Sequence, residues 1–304
     1  MKIIAFFSEK GGVGKSTFSL MYASCLKYKY GVKVGVADFN KRLTEYRKDE
    51  AFYLRNSGQM TKEMEENAWP IVPVDRTFIM KVGPNNPGNA LWLDYIVTEG
   101  ELKDMDVVIA DLPGSVSGHE IIHLVQSRIV NLVIIPFDKD VQAISAALSV
   151  KNFLSQVPSC KYFGFFNMIQ TAFGNKMEYV KKMNILKGRN LPVLPDMISF
   201  SDRMKNFEKV DILRSTYSYP DWDNPVFSGS KDLGLENLFI DITKELQKIP
   251  DYKDTKPADL SFVDSLTKDV NSIQALNRQL NGTSFPEYEV PLPEDMKTKF
   301  KKNR

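Results

Sequence analysis

Apolar residues in the first two thirds of the chain fall in short unbroken runs, separated by stretches with helical spacing. "KIIAFF" (2–7), "KVGVAD" (33–38), "DVVIAD" (106–111), "NLVIIPF" (131–137), "YFGFFN" (162–167) and "LPVLPD" (191–196) are such runs. Their near-continuous apolar character suits strands covered on both faces, as in parallel sheets. Between them, "STFSLMYASCLKYKY" (16–30) reads as a helix stopped by Gly31, residues 44–55 as a charged helix, and "DVQAISAALSVKNFLSQV" (140–157) as another. Strands alternating with helices predict an α/β fold: a mostly parallel, doubly wound sheet with helices on both faces. "WPIVPVD" (69–75) and "TFIMKVG" (77–83) could be further strands, against which the prolines weigh.

Near residue 250 the pattern changes. "KIPDYKDTKPAD" (248–259) is polar and reads as a linker. Beyond it Val263, Leu266, Val270, Ile273, Asn277 and Leu280 follow heptad-like spacing, which predicts one amphipathic helix. The closing stretch, "DMKTKFKKNR" (295–304), is basic and reads as a flexible tail. The expected organisation is a main domain over 1–248, a linker over 249–258, a helix over 259–281 and a tail over 282–304.

Composition narrows the class. With 304 residues and 43% hydrophobic content, the chain can bury a sizeable core. A net charge of +2 gives no global basic field, so contact with nucleic acid would need a local patch. Cys25 and Cys160 lack paired spacing, which suggests a reducing compartment and no disulfide framework. The opening "MKIIAFF" is too short an apolar run for a leader, and no run approaches the ~18 residues of a spanning helix. Together these features read as a soluble cytoplasmic protein.

The chemistry is concentrated in "KGGVGKST", Lys10 to Thr17. The pattern G-x-x-x-x-G-K-[ST] would need glycine at position 9, where this chain has Glu9. The physical logic of a phosphate loop survives. Gly11, Gly12, Val13 and Gly14 let backbone N–H groups turn inward around phosphate oxygens at a helix N-terminus. Lys15 can reach the β and γ phosphates, and the Ser16 hydroxyl can ligate Mg²⁺. The loop follows one predicted strand and opens a predicted helix, as such a loop requires.

"KGGVGKST" resembles the deviant Walker A loop of the ParA/MinD family of ATPases, and the resemblance extends over about residues 1–245. It implies ATP and Mg²⁺ as cofactors and a P-loop NTPase fold. It also implies that the leading lysine, Lys10, crosses an ATP-dependent homodimer interface to the partner's phosphates. "DVVIADLPG" resembles a Walker B strand ending in Asp111, which in the family holds Mg²⁺ through water, followed by a γ-phosphate-sensing segment at Pro113–Gly114. "VGVADFN" places Asp38 at the first acid of the family's D-x-D segment. The second acid, which in the family positions the attacking water, is replaced by Asn40, with Glu45 and Asp49 as the alternative acids. "GFFNMI" places Asn167 like an asparagine that bonds adenine, and Pro195–Asp196 stand where the loop after the next strand borders the base. The implied function is that of a ParA-like ATPase in DNA, plasmid or mobile-element partition, with slow hydrolysis stimulated by a ParB-like partner. The implied cargo surface is nonspecific DNA; the tail lysines Lys297, Lys299, Lys301 and Lys302 are candidate contributors to such binding, against the alternative of a solvated tail. A MinD-like membrane-associated positioning ATPase is the alternative within the family. It is disfavoured because the tail offers only Met296 and Phe300 as apolar anchors.

Other readings were weighed. His119-Glu120-Ile121-Ile122-His123 matches H-E-x-x-H, the zinc-protease pattern, but no third ligand is evident, and the acids that follow, Asp138 and Asp140, come after a buried strand. The iron protein of nitrogenase needs cluster-ligating cysteines that Cys25 and Cys160 do not supply. Bacterial tyrosine kinases of the same superfamily carry a C-terminal tyrosine cluster, whereas Tyr252 and Tyr288 are isolated here.

Overall fold

The computed structural model describes residues 1–74, 88–114, 121, 124–125, 128–169, 173–199, 215–219, 235–252 and 255–263. The chain divides into two units, 1–260 and 261–304. In the first, strands β1 (Lys2–Phe6), β2 (Val34–Asp38), β3 (Ile71–Pro73), β4 (Val107–Asp111), β5 (Leu132–Phe137), β6 (Lys161–Ile169) and β7 (Val193–Ser199) form one sheet. Their spatial order is β3-β2-β4-β1-β5-β6-β7. Every pairing is parallel. The expected α/β fold is therefore the observed one.

The strands are buried because both faces are covered. All residues of β1, β2, β4 and β5 lie inside. Helix α1 (Lys15–Ser24) follows β1, with Ser16 as its only residue that is not buried. Its Phe18 ring stands edge-on to Phe165 at 4.8 Å, and the Tyr22 hydroxyl shares a 2.8 Å hydrogen bond with Thr243. The helix is thus buried on nearly every side, its polar Lys15, Thr17, Ser19 and Ser24 included, and its N-terminus follows the end of β1 through the glycine loop. The helix expected to run to Gly31 widens into a π-helical turn over Cys25–Lys29.

Helices α2 (Arg42–Asn56), α3 (Lys62–Asn67), α4 (Gly88–Thr98), α5 (Val141–Leu154), α6 (Phe173–Gly188) and α7 (Leu235–Gln247) complete the described elements. The proline-bearing strand β3 is an outer strand of the sheet, where a missing N–H costs least. "TFIMKVG" lies outside the described residues. So do all but a few residues of the predicted 259–281 helix, and the whole of the 282–304 tail. Within 249–258, expected as a linker, Tyr252 is buried and its N–H donates to the Met1 carbonyl at 2.7 Å. Lys2 Nζ lies 3.4 Å from the Asp251 carboxylate. Among the described residues, no helix is long and apolar enough to cross a membrane.

Candidate functional site

Parallel strands deliver their C-terminal ends to one edge of the sheet, where an open α/β sheet forms its crevice. The residues expected to carry chemistry converge there. The glycine loop leaves β1. Asp38 ends β2, Asp111 ends β4, Asp138 follows β5, and Asn167 lies in β6. In register, Asp38 stands directly beside Asp111.

The loop is shaped by its glycines and by one asparagine. Gly14 caps α1 in the left-handed conformation at φ 93°. A Cβ there would fall 2.9 Å from both Asn167 Nδ2 and the Phe18 ring, so only glycine fits. Asn167 is buried, and its Nδ2 donates to the Val13 carbonyl at 3.0 Å. Its amide therefore braces the loop from below. Pro195 and Asp196 belong to β7, and their side chains lie outside the described residues.

Lys15 curls back over the loop, with Nζ donating to the Lys10 carbonyl at 3.0 Å. Burial pulls its pKa down to about 8, against the attraction of Asp111. Gly114 approaches so closely that a Cβ there would lie 3.0 Å from Lys15 Nζ. The segment after Asp111 thus abuts the loop that carries the lysine. Thr17, expected as a loop residue, is buried in the first turn of α1.

Lys10 points elsewhere. Its Nζ pairs with Asp140 at 2.8 Å and Asp138 at 3.2 Å, both in its own chain. Partial burial opposes the charge, but the hydrogen bonds to Asp140 and Asp138 outweigh it and hold the ammonium above its ordinary range. Asp140 also caps α5, with Oδ1 accepting from the Gln142 N–H at 3.2 Å.

The carboxylates divide their work. Asp38 is fully buried, and its Oδ2 accepts from both the N–H and the hydroxyl of Thr44 at 2.8 Å. It anchors the first turn of α2; burial raises its pKa, and these bonds restrain the rise. Asp111 is also fully buried, with Oδ1 accepting from Ser19 at 3.0 Å and Oδ2 from Asn40 Nδ2 at 2.9 Å. Burial and the neighbouring Asp38 push its pKa up to about 7. Asn40 Nδ2 also reaches Ser16 Oγ at 3.2 Å. Glu45 and Asp49 are exposed along α2.

Ser16 and Asp111 thus meet a common neighbour. A hydroxyl and a carboxylate are the hard oxygen donors that Mg²⁺ takes, so these residues fit that ion. Among the described residues, no cluster of three or more His, Cys, Asp or Glu is placed to hold a metal. His119, Glu120 and His123 lie outside the described residues.

Four residues that sequence reasoning did not assign a role are part of this arrangement: Ser19 on Asp111, Thr44 on Asp38, and Asp138 and Asp140 on Lys10. Ser19 falls one helical turn after Ser16, a spacing that places both on the same face of α1. The other contacts join segments with no shared motif.

A family model described as an AAA domain matches residues 1–50. No curated protein matches the chain in sequence. Among solved structures, a candidate plasmid partition protein of Borrelia burgdorferi B31 bound to AMPPNP superposes with TM-score 0.53 at 18% identity, over 79% of this chain and 99% of that one. The septum site-determining protein MinD of Pyrococcus horikoshii OT3, complexed with Mg-ADP, gives 0.51 at 16% identity, over 80% and 96% of the two chains. The chain has the ParA/MinD fold. Apo McdA of Cyanothece superposes equally well, with TM-score 0.52 at 14% identity over 81% and 99%. Within this fold, Lys15, Ser16 and Asp111 lie at one edge of the sheet.

Proposed function

We propose that the chain is a ParA-like ATPase that binds Mg-ATP, forms an ATP-dependent homodimer and positions a cargo on nonspecific DNA, with slow hydrolysis stimulated by a ParB-like partner. The observation that carries this reading is the buried Lys15 at the mouth of α1, facing the Pro113–Gly114 segment and within the field of Asp111. An ammonium with a depressed pKa inside a glycine loop is set to gain an anionic partner.

The residues would divide the task as follows. The N–H groups of Gly11 to Thr17 and the Lys15 ammonium bind the phosphates. Ser16, and Asp111 through water, would hold Mg²⁺, which when bound neutralises phosphate charge. Asp38 holds the start of α2 in place, and Asn40 orients a water without accepting its proton. Lys10 serves the partner's phosphates once it leaves Asp138 and Asp140. Asn167 supports the loop beside the base. The ParA/MinD fold and the partition and septum-site functions named for its solved neighbours support the assignment to cargo positioning.

The test is nucleotide binding followed by gel shift. The wild type should bind a fluorescent ATP analogue, and Lys15→Ala should lose it by at least about 100-fold, since charge-assisted bonds to phosphate dominate the loop. Nonspecific DNA should shift only with ATP present and should be released steeply as salt rises. Truncation after Asp295 asks whether the tail lysines contribute. Absence of ATP binding by the wild type overturns the proposal.

A further inference from the structure

The amide of Asn40 occupies a position with unusual chemistry. Its Nδ2 lies 2.9 Å from Asp111 Oδ2 and 3.2 Å from Ser16 Oγ. These are the two oxygens that fit a hard cation. Its orientation is fixed from the other end, because Oδ1 accepts from the Arg42 N–H at 2.8 Å. Exchanging the oxygen and nitrogen would set a carbonyl oxygen against the Asp111 carboxylate and an N–H₂ against an N–H. The backbone N–H of Asn40 adds a 3.3 Å bond to Asp38. Every polar group of the residue therefore agrees on a single placement.

We infer that Asn40 is a built-in substitute for the cation: its amide satisfies Ser16 and Asp111 in the nucleotide-free protein, and the ion must displace it. The inference rests on the proposed Mg-ATP reading and deepens it. Asp111 is fully buried; Ser19 donates to its Oδ1 and the Asn40 amide to its Oδ2, so loss of the amide removes one of the bonds that offset the burial of the carboxylate. An aspartate at position 40 would set a second carboxylate oxygen close to Asp111 Oδ2, a pair that needs a cation or a shared proton between them. Asparagine removes that demand. Ser16 and Asp111 are then satisfied by the amide alone, and metal competes with it only when the nucleotide supplies further ligands. Because Oδ1 holds the Arg42 N–H, displacement of the amide also removes one bond at the start of α2, while Asp38 keeps its hold on Thr44.

The experiment is thermal unfolding in EDTA and in millimolar MgCl₂, without nucleotide, for the wild type, Asn40→Asp and Asn40→Ala. The wild-type midpoint should be the same in both buffers. Asn40→Asp should be less stable than wild type in EDTA and regain its midpoint with MgCl₂, a response that the wild type lacks, as an added charged ligand dictates. Asn40→Ala, which removes the amide without adding charge, should also acquire a MgCl₂ response. An Asn40→Asp protein too unstable to purify leaves Asn40→Ala to decide. If both variants respond to MgCl₂ no more than the wild type, or if the wild type itself is stabilised by MgCl₂ alone, the inference is overturned. Binding of a fluorescent ATP analogue is read separately. Loss there counts against the ATPase reading, whereas the MgCl₂ comparison needs no nucleotide.

Discussion

Lys10 and Asp140 are joined within one chain by a 2.8 Å ion pair. A lysine held this way cannot at the same time reach the phosphates of a partner subunit. If Lys10 acts across an interface, dimer formation must first break its bonds to Asp138 and Asp140. The double substitution Asp138→Asn and Asp140→Asn keeps side chains that can still cap α5 while removing the competing charge. It should strengthen ATP-dependent association by about two- to fivefold, the range expected for an exposed ion pair. Lys10→Ala should bind ATP and remain monomeric. Sedimentation velocity with and without ATP checks both. A Lys10→Ala protein that dimerises normally ends the interface reading.

Lys15 carries a pH signature. Its folded-state pKa, lowered by burial to about 8, lies below the unfolded value of about 10.4. The unfolded chain therefore binds more protons between those two values, and the stability of the nucleotide-free protein should rise with pH across that window. The contribution is present above about 10.4 and is lost as pH falls through about 8. A bound triphosphate should draw the pKa back up, so binding near pH 8.5 takes up a proton. Calorimetry in buffers of different ionisation enthalpy measures that uptake, and Lys15→Ala should abolish it together with binding.

The replacement of an acid by Asn40 should also limit turnover. General-base assistance is typically worth ~10²–10⁴-fold, but phosphoryl transfer leans mainly on positioning and charge stabilisation. Single-turnover hydrolysis in Asn40→Asp should be faster than in the wild type by about tenfold or more. Brisk turnover by the unassisted wild type, unchanged by the substitution, would show that another group positions the water.

A stability prediction concerns Glu50. It is buried on α2 and accepts hydrogen bonds from the Thr216 N–H at 2.9 Å, the Thr216 hydroxyl at 2.7 Å and the Ser215 hydroxyl. Arg47, one turn earlier, stacks 4.4 Å from the Trp69 ring centroid. Glu50→Ala leaves buried donors unsatisfied and should cost on the order of 3 kcal/mol in denaturant unfolding. The glycine loop is not in this network, so the nucleotide binding proposed for it should persist in the folded fraction.

What could be read from sequence was local. The loop from Lys10 to Thr17 announces itself because phosphate binding constrains consecutive backbone positions, and Asp111 because it closes an apolar strand. The strand at 71–73 was obscured by its prolines, which mark an outer strand rather than the absence of one. The bonds from Lys10 to Asp138 and Asp140 span 128 and 130 residues, and no local pattern encodes them. Asn40 was visible as a departure from a motif. Its hold on Ser16 and Asp111 was not, because that depends on how β2 and β4 lie side by side.

The first strand of the chain is also the middle of its sheet. As the polypeptide is synthesised, β1 emerges long before its two neighbours, since it pairs with β4 from Val107 and with β5 from Leu132. Until those segments exist, five buried-type residues have no edge to join, and the loop after them has neither Asp111 nor Asn167 to hold its shape. Such non-local pairing is slow to form and leaves apolar strand exposed while it waits. The glycine loop, although it precedes them in the chain, therefore takes its full shape only once β4 and β6 are in place.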